Sequence, residues 1–164
     1  MDQRMSKDKY YLNIADAVLD RSTCLRRKYG AIIVKNDEIL STGYNGAPRG
    51  RVNCSQLGYC NREQLNIPSG QRYELCRSVH AEANAIISAA RRDMIGGTLY
   101  LVGRSAADGE LLHDTTSCAM CRRMIINSGI TRVVNRIGDD GIEIIDVQNW
   151  IVNDESIQPK AVAE

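Results

Sequence analysis

Apolar residues recur at Tyr11, Leu12, Ile14, Ala15, Val18 and Leu19, an i, i+3, i+4 spacing that predicts an amphipathic helix. Ser6 is placed to cap it, and it is expected to end near Arg21-Ser22. The period then shortens. Ala31-Ile32-Ile33-Val34 is apolar and β-branched, as suits a strand buried on both faces. Asn36-Asp37 supplies turn chemistry, and Glu38 to Tyr44 returns as the second strand of a hairpin, followed by a loop from Asn45 to Gly50. From Arg51 to Arg77 neither period emerges. A stretch of that length inside a compact domain is normally functional, disordered or stapled.

Helical spacing resumes from His80 to Arg92, with Ala83, Ile86, Ile87 and Ala90 on the apolar side, and Gly96-Gly97 stops it. Thr98 to Val102 reads as a strand and 103–116 as a long polar loop. Cys118 to Asn127 reads as a helix closed by Ser128-Gly129, and Thr131 to Val134 as the next strand. A last strand is expected over Ile142 to Ile145, leading to Trp150 and a polar tail. This order predicts an α/β fold, a mixed sheet of about five strands between helices. It forms a single domain over 1–164, with a cysteine-rich insertion at about 51–77.

Charge narrows the class of partner. Lys and Arg number 21 against 20 Asp and Glu, a formal net charge of +1. That balance lacks the basic excess of a nucleic-acid binder, so no nucleic-acid partner is expected. A small anionic substrate needs only one or two arginines. Met1 to Tyr10 is polar with no apolar core behind it, and no apolar run approaches the roughly 20 residues of a membrane span. A cytoplasmic protein without a membrane partner is the expectation. Six cysteines in such a chain favour metal binding or chemistry over disulfides, with buried free thiols as the alternative.

The chemistry concentrates in His80-Ala81-Glu82 and Cys118-Ala119-Met120-Cys121. Imidazole and thiolates are usual Zn²⁺ ligands, and a catalytic zinc keeps three protein ligands and an open position. His80, Cys118 and Cys121 supply three, and cysteines three apart at a helix start share one face. Glu82 then serves as the proton carrier rather than a fourth ligand, the arrangement of zinc-dependent nucleobase deaminases. Singly, each residue has a plainer reading: a structural histidine, a first-turn acid, a redox pair or half of a structural zinc site. Jointly, each half opening a predicted helix that leads to a strand, they point to a catalytic zinc.

On these residues the chain resembles the cytidine and deoxycytidylate deaminase superfamily, and within it the deoxycytidylate (dCMP) deaminases. The matching pieces are His80 to Ile86, Arg21-Ser22-Thr23-Cys24-Leu25-Arg26, Gly30 to Val34, Gly43-Tyr44-Asn45-Gly46, and Cys121 through Gly129. The superfamily usually has proline before the first cysteine of the pair. Here Ser117 stands there, able to act as an N-cap instead.

The resemblance implies a cytidine-deaminase-like three-layer sandwich, hydrolysis of dCMP to dUMP and ammonia by a zinc-activated water, and Glu82 as the catalytic residue. It implies a homo-oligomer, a hexamer being favoured, with dCTP and dTTP as effectors. Mapped here, it also implies a second, structural zinc on Cys24 and Cys54, with Cys60 and Cys76 completing the set. A closed Cys₄ site would staple the insertion; free thiols, or His113 in place of one cysteine, are the alternatives. Asn45 is expected beside the substrate sugar, and Arg26 on the phosphate. Turn chemistry and a solvated charged turn are their respective alternatives. Two other functions share much of this pattern: deamination of another cytosine compound or another nucleobase, and a non-catalytic zinc-stabilised binding module.

Overall fold

The computed structural model describes residues 3–157. Helix α1 (Lys7–Leu19) begins at Ser6, whose hydroxyl accepts from the Lys9 N–H. Strands β1 (Arg27–Lys35) and β2 (Glu38–Tyr44) form the expected hairpin. Asn36 and Asp37, at φ 50° and 63°, make the left-handed pair that a tight two-residue turn requires. Strand β3 (Thr98–Ser105), strand β4 (Arg132–Ile137) and strand β5 (Gly141–Asp146) complete one sheet in the order β2-β1-β3-β4-β5. Only β3 and β4 run parallel, joined by helix α6 (Ala119–Ser128).

Before that crossover lie the short helices α2 (Cys54–Leu57) and α3 (Asn61–Gln64), then α4 (Ala81–Ile87) and α5 (Arg91–Met94). After β5 comes α7 (Val147–Val152).

Alternation along the strands divides the core in two. Ile32, Val34, Tyr100, Val102 and Val134 pack on Tyr11, Leu12, Ala15 and Leu19 of α1. Ala31, Ile33, Leu99, Leu101 and Val133 face Ala81 and Ala85 of α4, Ile125 of α6 and Val147 of α7. The sheet is therefore the middle of three layers, as expected. β1 is buried on both faces, as its unbroken apolar run predicts.

Several local expectations shift. The helix expected over 80–92 is two, broken at Ser88–Ala90, and Ile87 is exposed. Helical propensity yields here to packing, since short alanines rather than long side chains seat α4 on the sheet. β1 starts four residues earlier than its apolar run, so Arg27 and Tyr29 join the strand. Trp150 belongs to α7 rather than a tail, its ring 5.1 Å from the Arg122 guanidinium. The end of the polar tail lies outside the described residues.

α1 is tied to the sheet by charge as well as burial. Arg132 grips Asp8 bidentately at 2.7 and 2.9 Å, and the Tyr100 hydroxyl donates to the same carboxylate. The Arg132 hydrogen bonds hold the Asp8 carboxyl below its ordinary value, against the opposing effect of burial. A depressed folded-state pKa stabilises above the unfolded value, about 3.9, and is lost as pH falls below it. Asp8→Asn is therefore expected to lower stability at pH 7 by about 1 kcal/mol, a partly hydrated ion pair contributing modestly. The difference from the parent should shrink in denaturant melts as pH falls below about 4.

Candidate metal centre and active-site cavity

Two helix starts meet on one side of the sheet. His80 is the N-cap residue of α4, and Cys118 is the N-cap residue of α6, with extended backbone at φ −67°, ψ 164°. Helix starts expose unpaired N–H groups and the positive end of the peptide dipoles, which favours thiolate. Ser117 was expected to cap α6, and the structure corrects this. Cys118 takes that position, while Ser117 is buried, its carbonyl accepting from Arg122 Nε at 2.9 Å.

α4 owes its place to β2. A side chain at Gly43 would run into the Ala81 carbonyl and the Ala85 N–H, so only glycine lets the two backbones touch. The buried Ser41 hydroxyl donates to the Ala85 carbonyl at 2.7 Å, and Asn84 Nδ2 donates to the Tyr44 carbonyl at 2.8 Å.

His80 Nδ1 lies 3.6 Å from Cys118 Sγ and 3.4 Å from Cys121 Sγ, and the three donor atoms all fall within 4.8 Å of one another. For a tetrahedral zinc with bonds of about 2.3 Å to sulfur and 2.05 Å to nitrogen, the S···N separation is about 3.6 Å. The donor set fits that ion. The hydrogen bond with Cys121 pulls the Cys118 thiol down to about 4, with help from His80 and against burial. Burial would lower the His80 imidazole, but hydrogen bonds with Cys118 and Cys76 and the Glu82 charge push it up to about 10. Cys121 is pushed upward by its hydrogen bond to Cys118 and by burial. Ionisation is thus favoured at Cys118, and a metal held by these three donors would require the thiols and the imidazole to give up their protons.

Glu82 is 5% exposed and lies outside the donor set. Burial pushes its carboxyl above the ordinary carboxylate range, partly offset by its own backbone N–H, the His80 charge and the neighbouring Ser117 side chain. The Ser117 hydroxyl itself makes no hydrogen bond of ordinary geometry.

A cavity of about 130 Å³ opens onto His80, Glu82 and Cys118. Its lining also includes two segments far apart in sequence: Arg26 with the start of β1, Arg27 and Tyr29, and the insertion, with Arg62 and Tyr73. Tyr73 stands edge-on to the His80 ring, centroids 5.0 Å apart at 89°.

The expected residues divide unevenly. Asn45 lines the cavity, but its amide oxygen accepts from the Tyr29 N–H and the Ser22 hydroxyl, while Nδ2 donates to the Arg27 carbonyl. One amide hydrogen is left for a ligand. Arg26 lines the cavity and pairs with Glu63 at 2.9 Å.

Cys24, Cys60 and Cys76 line the same cavity and, like Cys54, form no disulfide. Among the described residues, no three of these four thiols come together as His80, Cys118 and Cys121 do. His113 is exposed, beside Gly138.

Arg62 and Tyr73 sit in the aperiodic insertion, where no pattern marked them. Arg27 and Tyr29 had a signal: the two-residue period through Ala31 and Ile33 extends back to both.

A buried carboxylate left free beside three nitrogen and sulfur donors, with a position open for water, fits the class of zinc-dependent hydrolases equipped to move protons. The family model for the cytidine and deoxycytidylate deaminase zinc-binding region matches residues 5–136, and the chain belongs to that family. It is 40% identical over 132 residues to a deoxycytidylate deaminase of Mycobacterium phage D29, spanning 77% of this chain and 91% of that one. It is 35% identical over 131 residues to the deoxycytidylate deaminase of Schizosaccharomyces pombe, spanning 80% of this chain but 37% of that protein. The dCMP deaminase of cyanophage S-TIM5, crystallised with dCMP and dUMP, superposes with a TM-score of 0.54 at 25% identity, over 81% of this chain and 84% of that one.

Proposed function

We propose that this protein hydrolyses dCMP to dUMP and ammonia. The observation that carries the reading is Glu82, buried and unligated beside three zinc donors. When bound by His80, Cys118 and Cys121, zinc supplies the Lewis acidity that makes water a nucleophile at neutral pH. Glu82 takes a proton from the attacking water and delivers it to the ring nitrogen, then carries the second proton, from the hydroxyl newly bonded to the ring carbon, to the amino group as it leaves as ammonia. Its burial suits this shuttle, because a carboxyl raised toward neutrality both accepts and donates readily. Asn45, through its remaining amide hydrogen, faces the sugar, and Arg26 faces the phosphate.

The relatives named above support dCMP as substrate. Ammonia release from dCMP, deoxycytidine, cytidine and guanine, assayed with one preparation, tests the assignment. Turnover of another base without dCMP would remove it.

A second zinc on Cys24, Cys54, Cys60 and Cys76 is part of the same reading, supported by the Cys24, Cys60 and Cys76 thiols lying near enough to add to the effect of burial on Cys54. The purified protein is expected to carry two zincs per chain by elemental analysis, and one zinc would leave these four as thiols. A cytoplasmic homo-oligomer, most simply a hexamer, with dCTP and dTTP as effectors, completes the proposal. Light scattering and initial rates with each triphosphate check it. Among the described residues, no helix is long and apolar enough to cross a membrane.

A further inference from the structure

Three guanidinium groups line the active-site cavity, and they differ in how their charge is met. Arg26 pairs with Glu63 at 2.9 Å, and Arg27 pairs with Asp114 at 3.2 Å, both in partly exposed positions. Arg62 is only 6% exposed, and among the described residues no carboxylate pairs with it. Glu74, near enough to feel its charge, is already held by Arg72.

What Arg62 does have is neutral. Nη2 donates to the carbonyls of Pro68 and Gln71 at 3.0 and 2.7 Å, and the guanidinium stacks 4.5 Å over the Tyr73 ring. Its Nε–H is sealed from solvent with no hydrogen-bond partner. A buried cation without a counter-charge is unfavourable unless an anion arrives to meet it. The guanidinium is held rigidly at the cavity wall by two carbonyls and a ring, so an arriving anion finds it already oriented.

Resting on the reading of dCMP as substrate, we propose that Arg62, alongside Arg26, receives the 5′-phosphate and makes the enzyme select nucleotide over nucleoside. The cysteine-rich insertion thus supplies substrate specificity as well as a wall. Because Tyr73 lies between Arg62 and His80, the insertion places the phosphate site and the metal site in fixed register.

The test compares Arg62→Gln and Arg62→Lys with the parent, using kcat/KM for dCMP and for deoxycytidine, with zinc content and unfolding temperature measured on each. A lost charge-assisted hydrogen bond lowers the dCMP value in Arg62→Gln on the order of 10- to 100-fold, mainly through KM. The deoxycytidine value should stay unchanged, and Arg62→Lys should keep more of the preference than Arg62→Gln. Equal losses on both substrates, or loss of zinc and cooperative unfolding in both variants, would reduce Arg62 to a brace for the insertion and overturn the proposal.

Inorganic phosphate reads the anion site without turnover. It should raise the melting temperature of the parent and not of Arg62→Gln, and an equal rise in both overturns the proposal. A parent that binds phosphate through Arg62 yet leaves dCMP untouched would count against the substrate reading instead.

Discussion

Glu82→Gln is expected to leave the zinc content unchanged and to lower kcat with dCMP by about 10²–10⁴-fold, the usual contribution of one positioned acid/base group. The substitution is nearly isosteric, so it opens no cavity, and glutamine can still hydrogen-bond in the carboxylate's place. What it cannot do is accept a proton from water and pass it on. Because Glu82 lies outside the His80–Cys118–Cys121 set, the metal should stay.

The same variant should melt no lower than the parent at pH 7. Burial raises the Glu82 carboxyl, and an acid with a raised folded-state pKa destabilises the fold wherever the unfolded chain would ionise it. Removing that acid relieves the penalty, a familiar trade between function and stability. Full activity in Glu82→Gln with zinc in place would rule out the proposed proton path. Loss of zinc would show that Glu82 supports the metal instead.

Gly43→Ala is expected to lower kcat about 10²-fold and to destabilise the protein by about 1–3 kcal/mol, although Gly43 touches neither metal nor substrate. The new methyl group would collide with the Ala81 carbonyl and the Ala85 N–H, which are backbone atoms and cannot rotate away. α4 must therefore move off β2, and it carries His80 and Glu82 with it. Displacements of about 1 Å at a reacting centre suffice for a loss of this size. Reduced zinc occupancy together with the fall in kcat would locate the damage in the position of α4. Parent-like rates would mean that the helix absorbs the methyl without shifting, and would falsify the account of how the site is placed. Gly30, which meets α1 just as closely on the other face, makes the control. An alanine there should destabilise the fold while sparing zinc content.

These two variants separate what can be read locally from what cannot. His80, Glu82, Cys118 and Cys121 were legible because each pair sits within one helical start, where side-chain direction follows from spacing alone. The sheet was legible for a related reason. Runs such as Ala31–Val34 carry their own period, and turn residues such as Asn36-Asp37 declare where the chain reverses. Boundaries were less so. Arg27 and Tyr29 lie in a charged stretch that masks the strand period, and Ala89-Ala90, good helix formers, give no local sign that α4 ends at Ile87.

The insertion was illegible for a different reason. Arg62 makes its contacts to Pro68, Gln71 and Tyr73 across irregular backbone, and no repeating geometry links such positions in advance. Its cysteines prompt an expectation of stapling by metal, and the contacts that hold this segment also include a buried arginine and its carbonyl partners.

The amino-acid sequence by itself determined which residues could serve as donors, the carboxylate beside them, and the alternation that makes a three-layer α/β fold. These depend on chemistry and on periods repeated within one element. Only the tertiary structure decided how close α4 comes to β2, which of three arginines carries an unmet charge, and that the insertion forms a wall of the same cavity that opens onto His80. Those features arise where residues distant along the chain are forced together, and their energies depend on burial and separation that no local pattern encodes.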